Sequence, residues 1–374
     1  RSYSVTGVQT CALPIFPDSF STPKYIREAL AKATLDGNNL YADSLGVPEL
    51  RRVICESEKA NKNICLNIDD ILITQGVTEG IMFLMSGLAE PGREFLVPGP
   101  GYPAYSNYIT FFGGSEVYYR LDENDDWNPD VDNIRKQITE KTQAILVSSP
   151  NNPTGGMYSE KVMGEILDLA AEHDILVISD EIYDKITYDE TCVSPASIRK
   201  DVPIVGMNGF SKAHMATGWR LGYMYFYDPD HKIKELKENI EKMARIRLCA
   251  NTPAQYAAIE SYTHPRDHTS RLVENLRTRR DYAFKRMQEF PELSVTMPKG
   301  AFYMFPKIDL GTTWKNDREF VIDLLKETGV CVTYGSGFGK YGDEHFRMTF
   351  LPSVNELEQA FDKIDMFLKS RRQK

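Results

Sequence analysis

Lys212 lies in the run NGFSKAHMATGWRLGY, where Gly209, Gly218 and Gly222 imply tight backbone and Arg220 follows eight residues after the lysine. A lysine partly desolvated beside another cation loses basicity, which is what an amine nucleophile needs. Alone, the same residue reads better as a solvated lysine in a glycine-rich loop. Asp180 closes the apolar run ILVISD, where a carboxylate has to be solvated or paired. Facing a pyridine nitrogen it would keep that nitrogen protonated, but it also reads as an ordinary helix N-cap before EIYDKI. Tyr183, three residues on, is placed to donate to a phenolate oxygen. PNNPTGG (150–156) is a turn on any reading by its Pro153 and Gly155, and the functional reading adds that Asn152 donates to the ring oxygen. GVTEG (76–80) joins an apolar run to a helix start, where free N–H groups and the Thr78 hydroxyl suit a phosphate or merely cap the helix. Arg347, in HFRMTFLP, suits either a structural ion pair or a bidentate carboxylate contact.

The elements that must position these groups follow from the apolar pattern. ILIT (71–74), EFLVP (94–98), AILVSS (144–149), ILVISD (175–180), PIVGM (203–207) and YMYFY (223–227) read as buried strands. Helices are expected from Pro23, over 48–62, over about 78–88, and over 159–173 behind the N-cap Ser159 with Val162, Ile166, Leu169 and Ala170 inward. Strands alternating with helices imply an α/β fold, with a mostly parallel sheet covered by helices on both faces and a ligand at the carboxyl ends of the strands. Asn152, Asp180 and Lys212 all fall at such ends. After a helical stretch over about 230–289, broken at Pro253, strand-like runs at 294–308 and 346–352 alternate with helices near 316–328 and 354–370. This tail reads as a smaller α+β domain. The expected division is a large domain over 36–255 and a small one made of 16–35 and 256–374. Residues 1–15 carry no period, and VTGVQTCALPI resembles a translated sequencing-adapter read, so 1–15 are expected to be non-native.

Composition narrows the class. Apolar residues make up 42% and charged residues 26% of the 374, ordinary values for a globular chain. A net charge of −9 argues against nucleic acid as the main partner. The six cysteines show no CxxC spacing, which points away from disulfides or zinc and towards a reducing cytoplasm. His264 and His268 are four apart but separated by Pro265, so two surface histidines in a turn are expected there rather than a metal site. No apolar run is long enough to span a bilayer.

The ordered set YxxxxGxxxLR (41–51), GVT, PGYPAY, PNNPTG, SDEIY, SKxxxxxGWRLGY, PKGAFY (298–303) and FR resembles the fold type I, class I/II aminotransferases that use pyridoxal 5′-phosphate. GWRLGYMYF, ARIRLCANTPAQYAAI, FYMFPKI and GSGFGKYGDEHFR resemble the archaeal-type alanine aminotransferases. The resemblance implies that Lys212 forms a Schiff base with the cofactor and Asp180 pairs with its pyridinium. Asn152 and Tyr183 then contact the ring hydroxyl, and Tyr102 stacks on the ring. Gly76, Val77, Thr78 and Arg220 hold the phosphate, with Ser211 standing in for a hydroxyl that some members carry where this chain has Gly209. Met215-Ala216 replaces the Ala-Met of many members, a subgroup trait. Arg347 binds the substrate α-carboxylate. A homodimer is also implied, with Tyr41 reaching the neighbouring subunit's phosphate, as is a glycine-bearing arm ahead of Phe16 that this sequence does not show. The implied reaction is transamination between alanine and 2-oxoglutarate. Aspartate or aromatic transamination, and a carbon–sulfur β-lyase of the same fold, remain alternatives. A non-catalytic cofactor-binding regulator stands further off, because no DNA-binding extension accompanies the motifs.

Overall fold

The computed structural model describes residues 20–264, 268–311 and 313–372. The expectation that 1–15 are foreign therefore lies outside the described residues. Six apolar runs form strands where their composition places them: β1 (Ile71–Thr74), β2 (Glu94–Gly99), β5 (Thr142–Ser148), β6 (Leu176–Asp180), β7 (Ile204–Gly209) and β8 (Gly222–Tyr227). Two further strands, β3 (Ser115–Asp122) and β4 (Asn128–Pro129), complete an eight-stranded sheet in the order β1-β8-β7-β6-β5-β2-β3-β4. Pairing is parallel from β3 through β2, β5 and β6 to β7. It is antiparallel where β8 joins β7 and β1, and where β4 joins β3.

Helices cover both faces of this sheet. α1 (Lys24–Leu35) and α2 (Pro48–Lys62) precede β1, α3 (Val77–Leu88) follows it, and α4 (Ala104–Phe111) follows β2. α5 (Val131–Gln137) and α6 (Glu160–Glu172) flank β5, and α7 (Pro195–Ile198) precedes β7. Ser159 caps α6 by accepting the Val162 N–H at 3.3 Å. Met163 and Leu167 lie in the core beside Ile166, Leu169 and Ala170, whereas Val162 is only partly buried. Leu72, Leu96, Ile145 and Val177 are at most 1% exposed, which the alternating helical cover on both faces requires.

The helical stretch after β8 resolves into α8 (Lys234–Arg247), α9 (Thr252–Thr263) and α10 (His268–Met287), with Pro253 in the first turn of α9 where its missing N–H costs nothing. His268 is not an isolated surface residue. Its ring bonds His214 Nδ1 and the Tyr25 hydroxyl, each at 3.1 Å. The tail forms short strands only: β9 (Leu293–Ser294), β10 (Tyr303–Met304), β11 (Lys307–Ile308), β12 (Thr333–Tyr334) and β13 (Phe346–Thr349), with α11 (Asp317–Thr328) and α12 (Val354–Arg372) packed beside them. Phe20 joins this tail's apolar cluster, while Leu30 of α1 packs on the cluster that includes β1, β5 and α6. No helix among the described residues is long and apolar enough to cross a membrane.

Behind the carboxyl end of β6 lies a buried ionic cage. Lys62, the last residue of α2, reaches Glu181 and Asp184 at 2.7 Å each and Glu58 at 3.1 Å. Tyr223 donates to Glu58, Tyr225 and Ser194 to Glu181, and Asn208 to Asp184. Burial lifts the Glu58 carboxyl above the usual range, with Lys62 opposing the shift. Glu181 and Asp184 alternate with Asp180 and Tyr183, so the cage ties α2 to the segment that carries both. Removing one partner from such a cluster strands the others without compensation. Lys62→Met is expected to lose about 3–5 kcal/mol of stability, read as a lower urea midpoint. Glu58→Gln, which keeps the shape and removes a crowded charge, should lose less. An unchanged midpoint in Lys62→Met would show that the cage bears no load.

Candidate active site

At the carboxyl edge of the parallel strands a cavity of about 760 Å³ gathers side chains from segments far apart in the chain. β6 ends on Asp180, β7 leads into Ser211 and Lys212, and β5 leads into Ser148 and Asn152. β2 leads to Tyr102 and Tyr105, and β1 to Val77 and Thr78 in the first turn of α3. Tyr183, Arg220 and Arg347 complete the set of expected lining residues. Gly76 stands just outside as the N-cap of α3, and Tyr41 is elsewhere, 79% exposed on the surface of the protomer.

Asp180 is 4% exposed. Its Oδ2 accepts a 2.6 Å hydrogen bond from the Tyr105 hydroxyl and its Oδ1 accepts the Ile182 N–H at 3.1 Å. No helix directly follows Asp180, so it caps a turn over 182–185 rather than a helix, and it lines the cavity. Burial lifts its pKa to about 6, against the pull of Tyr105, the Ile182 N–H and Lys212. The Lys212 amine moves the other way. Burial pushes it down to about 8, Arg347 and Arg220 add to the drop, and Asp180 opposes it. Its Nζ lies 5.6 Å from the Tyr183 ring centre and 5.7 Å from that of Phe302, with no hydrogen bond to it among the described residues.

The corner of the cavity beside the start of α3 is set by backbone conformation. Gly76 has φ +79°, and a Cβ there would stand 2.8 Å from Arg220 Nη2, so only glycine leaves the space between α3 and the guanidinium open. Arg220 bonds the carbonyls of Thr217 at 3.3 Å and Gln75 at 3.4 Å, which aims it across the start of α3. Gly209 has its own reason to be glycine. A Cβ there would meet Gly222 Cα and the Leu221 carbonyl at 3.0 Å, so a hydroxyl residue would force β7 and β8 apart. Ser211, by contrast, lines the cavity.

Arg347, on β13, is 6% exposed. Its Nη1 donates to Asn152 Oδ1 at 2.7 Å, and its guanidinium stacks on Tyr303 and Phe338 at 4.6 and 4.7 Å. Asn152 is thus committed at its oxygen, leaving its amide hydrogens for a ligand. Tyr183 shares a 2.8 Å hydrogen bond with Tyr303.

Several lining groups were not singled out from sequence. Tyr105 and Tyr303 sit inside PGYPAY and PKGAFY, but their partners are 75 and 120 residues away and no local signal marks the pairing. Ser148, Met215, Thr217 and the segment Phe20–Thr22 with Arg27 also line the cavity. Thr22 Oγ1 donates to the Met215 carbonyl at 2.8 Å, fastening that segment to the lysine loop.

A family model described as aminotransferase class I and II matches residues 15–364. Among solved structures, an alanine aminotransferase from Pyrococcus furiosus is similar at 51% identity with a TM-score of 0.93, covering 94% of this chain and 89% of that one. Glutamate-pyruvate aminotransferase AlaA of Haemophilus influenzae is 36% identical over 341 residues, 89% of this chain and 83% of the relative. An aspartate aminotransferase of Pyrococcus abyssi is 36% identical over 375 residues, 96% of this chain and 92% of the relative. The cavity at the carboxyl edge of the sheet is therefore set in a chain that belongs to the class I and II aminotransferases.

Proposed function

We propose that the protein transfers the amino group of L-alanine to 2-oxoglutarate, giving pyruvate and glutamate. The observation that carries this reading is the convergence of Lys212, Asp180 and Arg347 on one cavity. The choice of alanine rests on likeness to relatives named for that substrate. Aminotransferases of this class use pyridoxal phosphate, and the residues present fit it. The glycine-lined space at Gly76 opens between the first turn of α3 and Arg220, a carboxylate lies deep at Asp180, and a weakly basic amine stands between.

In this reading Val77, Thr78, Ser211 and Arg220 hold the phosphate, with the amide at Gly76 beside them. Tyr102 would stack on the ring, Asn152 and Tyr183 would donate to its hydroxyl, and the Lys212 amine would hold its aldehyde carbon, the aldehyde oxygen leaving as water. Bound there, pyridoxal phosphate supplies a pyridinium ring that withdraws the electron pair left when the substrate's Cα proton departs. Asp180 keeps the ring nitrogen protonated by its charge. Arg347, preset by Asn152 and its two aromatic neighbours, grips the α-carboxylate and so orients the Cα–H bond. Lys212 Nζ, once free, takes the Cα proton as general base. A homodimer in which Tyr41 reaches the partner subunit's phosphate site fits the exposure of Tyr41 at 79%, Leu40 at 81% and Leu35 at 86%. A reducing cytoplasm suits the free thiols of Cys55, Cys65, Cys192 and Cys249.

Three measurements test this reading. Purified protein given alanine, 2-oxoglutarate and pyridoxal phosphate should form pyruvate, followed through coupled lactate dehydrogenase. No pyruvate, with turnover of aspartate instead, would reject the substrate choice. With a pKa near 8, Lys212 is neutral in roughly a tenth of molecules at pH 7, against well under a thousandth for an unshielded lysine. The rate at which the apoprotein takes up pyridoxal phosphate should therefore climb as pH rises and level off above about 8. A rise continuing to pH 10 would contradict the lowered pKa. Finally, the Tyr105 hydrogen bond holds the Asp180 pKa down. Tyr105→Phe lets it rise, so more Asp180 is neutral in weak acid and the acid limb of the kcat/KM profile should move to higher pH. A limb that stays in place would mean Tyr105 does not tune the carboxylate.

A further inference from the structure

The reaction proposed above alternates two substrates in one cavity, and they differ in charge. Alanine and pyruvate carry one carboxylate, glutamate and 2-oxoglutarate two. Four cationic side chains line the cavity, Arg27, Lys212, Arg220 and Arg347, against one carboxylate, Asp180. Three of the four are accounted for: Arg347 is held on Asn152 between two aromatic rings, Arg220 spans the carbonyls beside the α3 start, and Lys212 is the amine. Arg27 has no such assignment. It sits in the first turn of α1, which contains no acidic residue, and its guanidinium makes no hydrogen bond or ion pair among the described residues.

Arg27 is also exposed, and this decides what it can do. A cation buried for a second carboxylate would be stranded whenever alanine occupied the site, at the full desolvation cost of an unpaired charge. An exposed arginine at the mouth stays hydrated with the short substrate bound. It releases that water only when a longer, doubly charged substrate reaches it. Its neighbours keep it at the site, because Thr22 ties the start of α1 to the Met215 carbonyl in the lysine loop.

We propose that Arg27 is the specificity-determining residue that bonds the distal carboxylate of the dicarboxylate substrate, an inference that rests on the transamination reading. The cavity thereby reads the shared α-carboxylate with a fixed, buried arginine and the optional second carboxylate with a solvated one.

Calorimetry on the holoenzyme separates this from catalysis. Glutarate is butanoate with a second carboxylate on its far carbon. Wild type should bind glutarate more tightly, and Arg27→Met, which keeps the side chain's apolar stem, should cut the glutarate-to-butanoate affinity ratio about 10-fold. Arg27→Lys should retain part of it. The kcat/KM ratio for 2-oxoglutarate over pyruvate as amino acceptors should fall in parallel. A ratio unchanged in Arg27→Met, or a wild type with no preference for glutarate, overturns the assignment. A glutarate preference lost in Arg27→Met, in an enzyme that makes no pyruvate from alanine, would uphold Arg27 and reject alanine transamination.

Discussion

The lowered basicity of Lys212 depends on keeping water away from it, and much of the structure around the cavity serves that end. An amine flanked by two guanidiniums would not stay near them without a compensating charge, and Asp180 supplies it from the end of β6. Asp180 in turn cannot be left bare in the interior, so Tyr105 and the Ile182 N–H satisfy it. On the far side of the same short segment the charges invert. Glu58, Glu181 and Asp184 crowd round Lys62, giving an acidic back to a basic cavity. Along 180–184, Asp180, Ile182 and Tyr183 face the cavity while Glu181 and Asp184 turn to Lys62, which is how one stretch of chain serves both.

In the proposed function, recognition of the substrate carboxylate draws on a different part of the molecule. Arg347 belongs to β13, which pairs with β10 and β12 rather than with the large sheet. Its contact with Asn152 and the Tyr183–Tyr303 hydrogen bond are polar links between the small sheet and the carboxyl edge of the large one. A carboxylate placed on Arg347 is therefore positioned relative to Lys212 by two hydrogen bonds and two aromatic faces. A shift of β13 would be felt directly at the reacting carbon.

How legible this was from sequence depended on distance along the chain. β6 and β7 were readable because both faces are covered, which leaves unbroken apolar runs such as LVIS and IVGM. β3 was not, since SEVYYRLD mixes exposed Ser115 and Arg120 and half-buried Glu116 with fully buried Tyr119 and has no continuous run. Lys212, Asp180 and Arg220 were found through ordered motifs, each weak alone. What those residues touch was invisible. Nothing local joins Tyr105 to Asp180 or Asn152 to Arg347, because such pairs are made by strand order, and strand order is fixed by packing rather than by adjacent residues. Tyr41 shows a limit of another kind: it is 79% exposed and lies outside the cavity, so the role the resemblance implies for it is not visible within one protomer.

The contrast between Arg347 and Arg27 follows from a general constraint on sites that must serve two substrates. The feature common to both ligands can be met by a buried, prearranged group, because that group is satisfied in every turnover. Burial strengthens the contact and removes the entropy of ordering a long side chain at each encounter. A feature present in only one ligand has to be met by a group that tolerates its absence, and water is the one partner always on hand to replace it. Weak, solvent-exposed contacts at the mouth of the cavity are thus a condition of dual specificity. Burying Arg27 more deeply would tighten the hold on glutamate only by excluding the smaller substrate.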